Sequence, residues 1–231
     1  MSIVGFLSHR QSTVRSMAPE VPRADESTPD DLPPTGRRIV VGGGIGAGKS
    51  AVCDILARRG FTVVNADEIG HQLLVDDAVS IGRIAELWPE AVVDGTVDRT
   101  VLAHSVFSDA GRLAALEQIL HPRIVETIEE LVESKPGRDV VVEVPLLPLV
   151  LDTGYLMSGR FVRVAVIADD RTRLARAVGR GGDAADIERR MRLQATDDEW
   201  RAWADIVIDN SGSWSTTEAA VEALAEGMAD D

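Results

Sequence analysis

The sequence is short of cysteine, lysine, aromatic residues and net positive charge, and each shortage excludes something. Cys53 is the only cysteine, so neither an intrachain disulfide nor an all-cysteine metal site is available, and a single thiol fits a reducing cytoplasm. No stretch reaches the roughly 18 consecutive apolar residues of a membrane span. The first ten residues lack the basic start and apolar centre of a secretory signal, so a cytoplasmic chain without a membrane partner is expected. With 24 Lys+Arg against 38 Asp+Glu, the formal charge is −14. An acidic balance argues against a nucleic-acid partner, whose binding calls for a basic face. Only Lys49 and Lys135 are lysines and the other 22 basic residues are arginines. Part of that bias is compositional, but the guanidinium fork also suits phosphate. Aromatics are 4% of the chain, yet 45% of its 231 residues are hydrophobic. That is enough for one sizeable core, and it excludes a collagen-like, fully disordered or disulfide-stapled chain.

What is present has a clear order. Residues 1–36 carry Pro19, Pro22, Pro29, Pro33 and Pro34, half of all the prolines, and no sustained apolar periodicity. A flexible tail is expected there, with the folded part over 37–228. Ile39–Val41 reads as a buried strand, 50–59 as a helix and Phe61–Val64 as a second strand. The text from 68 to 135 turns helical and is long for a simple crossover, which suggests a substrate-binding insertion. Leu113, Leu116, Ile119 and Leu120 mark one apolar stripe there, and Ile124, Val125, Ile128, Leu131 and Val132 another. His121-Pro122 lies between them, and Pro122 suits the first turn of a new helix. Strands return at Val140–Val144, Phe161–Ile167 and Ile206–Ile208. A charged helical region, 171–192, breaks near Gly179–Gly182. Ser215-Thr216-Thr217-Glu218 has capping-box spacing before a closing helix. Apolar strands alternating with helices predict an α/β fold with a parallel sheet covered on both faces.

The strongest signal is Gly43-Gly44-Ile45-Gly46-Ala47-Gly48-Lys49-Ser50, which satisfies G-x-x-x-x-G-K-[ST] between a strand and a helix. Glycines let backbone N–H groups turn inward onto phosphate oxygens, and the following helix N-terminus adds a positive field. Lys49 would reach the outer phosphates and Ser50 would hold Mg²⁺. The motif by itself announces a nucleoside triphosphate, not the reaction. Asp67 falls at the end of the second strand, on the sheet edge where ligands bind. It either receives the proton of an attacking hydroxyl or caps the following helix, and the two roles are compatible. Glu143 interrupts an apolar strand, where it serves a metal through water, a structural ion pair or an exposed strand end. Arg171, Arg173, Arg176, Arg180, Arg189, Arg190 and Arg192 read as a mobile lid over transferring phosphate or as a solvated helix face. Asn210-Ser211-Gly212 either contacts a base or forms a plain turn. Trp200 and Trp203 read as packing.

In this order the pieces resemble the dephospho-coenzyme A kinase family, from about Ile39 to Ala225. The phosphate loop, Ala66-Asp67-Glu68-Ile69, Asp98-Arg99, Phe107, His121-Pro122-Arg123-Ile124, Pro145-Leu146-Leu147, the set Arg176, Arg180, Arg190 and Gln194, and Ala204 to Gly212 all follow the family's sequence of segments. The resemblance implies a three-layer P-loop kinase fold with a helical acceptor-binding insertion and an arginine-rich lid. It also implies transfer of phosphate from ATP, with Mg²⁺, to the ribose 3′-hydroxyl of dephospho-coenzyme A. On that reading Asp67, Lys49 and Arg176 are catalytic. Residues Gly43 to Ser50, with Arg180 and Asn210, bind ATP, while His121 and Arg190 bind the acceptor. Ser50 and Glu143 serve the metal. Departures from the family's usual residues fall at Gly42, Ala51, Asn65, Glu143, Pro148, Leu149, Arg173 and Trp200. The same loop and sheet also serve kinases of other small metabolites, and non-catalytic ATP-binding modules.

Overall fold

The computed structural model describes residues 36–107, 109–145 and 154–227. The expected tail, except Gly36, lies outside these residues, as do Leu146, Leu147, Pro148 and Leu149. Five strands form one parallel sheet: β1 (Arg38–Gly42), β2 (Thr62–Asn65), β5 (Val140–Val144), β6 (Val162–Ile167) and β7 (Ile206–Asp209), in the order β2-β5-β1-β6-β7. A hairpin of β3 (Val92–Val93) and β4 (Thr96–Val97) turns at Asp94 and Gly95, both at positive φ. The central strands are runs of Val and Ile because both faces are covered, as parallel sheets require. On one face Ile39, Val41, Val141, Val164 and Val166 pack with α1 (Lys49–Arg58) and the closing helix α9 (Trp214–Gly227) through Val52, Leu56 and Val221. On the other, Val40, Val140, Val142 and Ala165 join the larger core that contains the helical insertion. The two faces follow the strand period of two.

That insertion comprises α2 (Ala66–Asp76), α3 (Ala78–Leu87), the hairpin, α4 (Arg99–Phe107) and α5 (Ala110–Glu133). Here one expectation is corrected. Pro122 does not open a new helix but lies inside the continuous 24-residue α5. A proline there forfeits a backbone hydrogen bond and costs about 3 kcal/mol. The two stripes join into one face, however: Leu113, Leu116, Leu120, Ile124, Ile128 and Val132 are all buried in the same core. At about 1.5–3 kcal/mol for each buried side chain, that face outweighs the proline. A second correction concerns α9. It begins at Trp214, and Ser213 Oγ accepts from Thr216 N at 3.3 Å. Ser215 and Glu218 therefore lie within the helix, and Glu218 pairs with Arg58 at 3.3 Å instead of closing a capping box at 215–218. A capping box forms at Thr196 and Glu199, opening α8 (Asp197–Trp203).

The charged region folds as α6 (Asp170–Gly179) and α7 (Ala184–Leu193), broken at Gly181 and Gly182 as its glycines predict. Trp200 and Trp203 are buried edge to face, 5.3 Å apart, in the larger core. No helix among the described residues is long and apolar enough to cross a membrane.

A charge lock fastens the insertion. Asp77, between α2 and α3, accepts from Ser80 N at 3.0 Å and faces Arg123 of α5 at 2.9 and 3.2 Å. The guanidinium holds the Asp77 carboxyl down to about 2. A carboxyl lowered in the fold stabilises it above its unfolded value and loses that contribution as pH falls through the folded one. Asp77→Ala is therefore expected to lower the melting temperature near neutrality. The gap to the wild type should close between about pH 4 and about pH 2. A gap that persists unchanged at the acid end would show that the ionised lock contributes nothing.

Candidate active site

β1 lies between β5 and β6, and the chain reaches β2 on one side and β7 on the other. The loop after β1 therefore sits at the point where the sheet's winding reverses, the place where open α/β sheets bind ligands. Loop 43–48 fills that crevice. Gly46 and Gly48 have φ of 77° and 106°. A Cβ at Gly46 would lie 2.2 Å from the Arg173 carbonyl oxygen, and one at Gly48 would lie 2.2 Å from Asn210 Nδ2. Both the backbone shape and the close approach of the neighbours thus demand glycine. Gly48 also opens α1, directing that helix's N-terminus at the loop.

The side chains predicted around the loop divide into two groups. Lys49, Asp67, Arg180 and Arg190 line one cavity of about 460 Å³, together with Ile45, Pro145 and Gln194. Lys49 Nζ donates to the carbonyl oxygens of Gly43 and Gly44 at 2.8 and 3.3 Å. Burial pulls its pKa below the ordinary lysine value, while Glu143 and Asp67 oppose that pull. Asp67 Oδ1 is buried with no hydrogen-bond partner among the described residues. A buried carboxylate oxygen left without a donor is a ready hydrogen-bond acceptor for a ligand hydroxyl. Burial also lowers the Arg190 pKa, with Asp186 and Asp67 acting the other way.

Arg176 and Asn210 face the loop's flank instead of this cavity. Arg176 donates to Ala47 O and Asn210 O at 3.4 and 3.0 Å. Asn210 is buried, donates from Nδ2 to Ala47 O at 2.8 Å and accepts from Thr217 Oγ1 at 2.8 Å. Its side chain thus braces the loop from beneath. His121 sits in the middle of α5, half-buried, on the helix that packs against α2.

Glu143, only 7% exposed, is not an exposed strand-end residue. Its Oε1 accepts from Ser50 Oγ at 2.9 Å and its Oε2 from Asn65 Nδ2 at 3.0 Å. Burial pushes its pKa up, offset by Lys49 and the Ser50 hydroxyl. Asn65 uses its amide in both directions. While Nδ2 holds Glu143, Oδ1 caps α2 by accepting from Asp67 N at 2.8 Å and Glu68 N at 3.2 Å. The cap of α2 is thus Asn65, which leaves the Asp67 carboxylate for other work. An Asn directly before a helical run is an N-cap signal in its own right. Its link to Glu143 depends on β2 pairing with β5, which places residues 65 and 143 in register. Among the described residues, no group of three or more His, Cys, Asp or Glu could hold a metal ion. Cys53 is buried on α1 itself, and burial pushes its thiol pKa well up, which disfavours the reactive thiolate.

The family model described as dephospho-CoA kinase matches residues 38–216. The dephospho-CoA kinase of Deinococcus radiodurans is 37% identical over 191 residues, covering 81% of this chain and 90% of that one. The dephospho-CoA kinase of Thermobifida fusca is 34% identical over 195 residues, covering 83% of this chain and 96% of its own. A crystal structure from Thermus thermophilus superposes with a TM-score of 0.69 at 32% identity, covering 84% of this chain and 98% of that one. With the family model spanning most of the chain, these matches are decisive: the chain belongs to the dephospho-CoA kinase family, ATP-dependent phosphotransferases on the P-loop kinase fold.

Proposed function

We infer that this chain phosphorylates the ribose 3′-hydroxyl of dephospho-CoA from ATP, giving CoA and ADP, and that the loop cavity is where it does so. The observation that carries the residue assignment is the convergence of Lys49, Arg180, Arg190 and the unpartnered Asp67 oxygen on one cavity. Phosphoryl transfer passes through a transition state with charge spread over the transferring oxygens, so catalysis rests on positioning and electrostatics. The loop N–H groups and the α1 N-terminus receive the donor phosphates. Lys49 leaves the Gly43 and Gly44 carbonyls to neutralise the outer phosphates. Arg180, just after α6, and Arg190, on α7, line the same cavity and neutralise charge on the transferring group. Asp67 accepts or orients the proton of the attacking hydroxyl. Arg176 and Asn210 support the transfer by holding the loop, and His121 and Arg190 are assigned to binding the acceptor.

Mg²⁺ fits the donor set. Ser50 Oγ and Glu143 Oε1 are hard oxygens 2.9 Å apart. A magnesium site with few protein ligands, completed by water and substrate phosphate, is the usual arrangement. Bound there, the ion would supply positive charge that offsets the charge of the phosphates. Ser50 would hold it directly and Glu143 through water, with Asn65 fixing the Glu143 carboxylate.

A panel of hydroxylated acceptors, including other nucleosides and small metabolites, tests the acceptor assignment. Dephospho-CoA is expected to give the highest kcat/KM by a wide margin. A different acceptor turned over faster would reassign the substrate while leaving the donor site standing.

A further inference from the structure

The phosphate loop has glycine at positions 43, 44, 46 and 48, so its backbone has little intrinsic preference for one shape. A rigid cradle on such a segment needs constraint from outside, because an unordered loop spends binding energy on being ordered. Ile45 is where that constraint enters. Its N–H donates to Gln194 Oε1 at 2.7 Å, and its carbonyl accepts from Arg173 Nε at 3.0 Å. The peptide planes on both sides of Ile45 are thereby fixed by side chains from two elements, Arg173 on α6 and Gln194 at the end of α7.

Arg173 is suited to hold the arrangement. It is only 4% exposed. Its Nη2 occupies the space above Gly44, where an added Cβ would lie 2.1 Å away, and donates to Gln194 Oε1 at 3.5 Å. On its far side Nη1 faces Asp170 at 3.4 Å and Asp197 at 3.8 Å, so the buried cation is compensated. Gln194 is half-buried and lines the same cavity as Lys49 and Asp67.

We propose that Gln194 is a positioning residue of the ATP site: its Oε1, steadied by Arg173, holds the Ile45 N–H and presets the phosphate loop for the triphosphate. The proposal rests on the loop being the ATP site. Removing the acceptor oxygen frees the Ile45 peptide, and the loop must then be ordered by the nucleotide itself. The loss is that of about one ordinary hydrogen bond, roughly five-fold in affinity.

The test is calorimetric binding of Mg-ATP to the full chain, with steady-state kinetics and melting curves alongside. Gln194→Ala is expected to raise the dissociation constant and the KM for ATP about five-fold. The KM for dephospho-CoA and the melting temperature should stay at the wild-type values. Gln194→Met, which keeps the length of the side chain without the acceptor oxygen, is expected to weaken ATP binding as much as Gln194→Ala. A role in folding alone would instead move the melting temperature and both KM values together, and would overturn the proposal. So would wild-type or tighter ATP binding by Gln194→Ala, since Gln194 would then be a bystander or a competitor of phosphate. Lys49→Ala, measured in parallel, separates the two levels. If it binds Mg-ATP like the wild type, the loop is not the ATP site and the proposal falls with it. If it loses ATP while Gln194→Ala does not, the Gln194 assignment alone fails.

Discussion

Asp67→Asn is expected to lower kcat by about 10²–10⁴, the usual contribution of a positioned acid or base, while the dissociation constant of Mg-ATP changes little. The substitution keeps size and shape and removes the charge and the basicity. Because the α2 cap is the Asn65 side chain, the helix does not depend on the Asp67 carboxylate. The melting temperature should therefore stay near the wild-type value, and any loss of turnover is chemical in origin. The buried Asp67 oxygen has no partner among the described residues, so no existing hydrogen bond is sacrificed at that atom. Stopped-flow or coupled-assay turnover at saturating substrates reads the effect directly. An unchanged kcat would remove Asp67 from the reaction and leave it as an ordinary first-turn residue.

The second large effect is expected at Lys49. Lys49→Ala should lower kcat/KM for ATP by about 10²–10³, the loss typical of one electrostatic donor aimed at developing charge in a water-poor site. The side chain has two tasks. Without nucleotide its ammonium holds the carbonyls of Gly43 and Gly44, and with nucleotide it turns to the phosphates. Losing both affects binding and transfer together, so KM for ATP should rise and kcat should fall. Lys49→Arg is not expected to rescue. The planar guanidinium is bulkier than an ammonium, and the cavity already receives Arg180 and Arg190 from the lid. Full activity of Lys49→Ala at both saturating and limiting ATP would contradict its role.

The parts legible in the sequence are those written in local pattern. The loop motif, the runs of Val and Ile, the glycine break between α6 and α7, and the position of Asp67 after β2 all follow from short-range chemistry. Less legible were features set by long-range packing. Pro122 carries a strong local signal for a helix start, but a continuous buried face extending beyond it carries the helix through. The arginines of 171–192 look alike as text. Helical phase and the fold around them separate Arg180 and Arg190 at the cavity from Arg176 on the loop's flank and Arg173 buried behind Gly44. Asn210 reads as a residue at a strand end, yet burial turns its amide onto the loop. Asp67 reads as a candidate cap of the following helix, but the cap of α2 is Asn65. Its grip on Glu143 arises only once β2 pairs with β5. In each case the missing information is which distant element the side chain meets.

The most direct test of the central claim is to incubate the purified chain with Mg-ATP and dephospho-CoA and to follow the acceptor by mass, beside a reaction without acceptor and one with Lys49→Ala. CoA is expected to accumulate only with the acceptor present, with ADP formed in equal amount, and to largely disappear in the Lys49→Ala reaction. Folded protein that binds Mg-ATP yet leaves dephospho-CoA unchanged would contradict that claim.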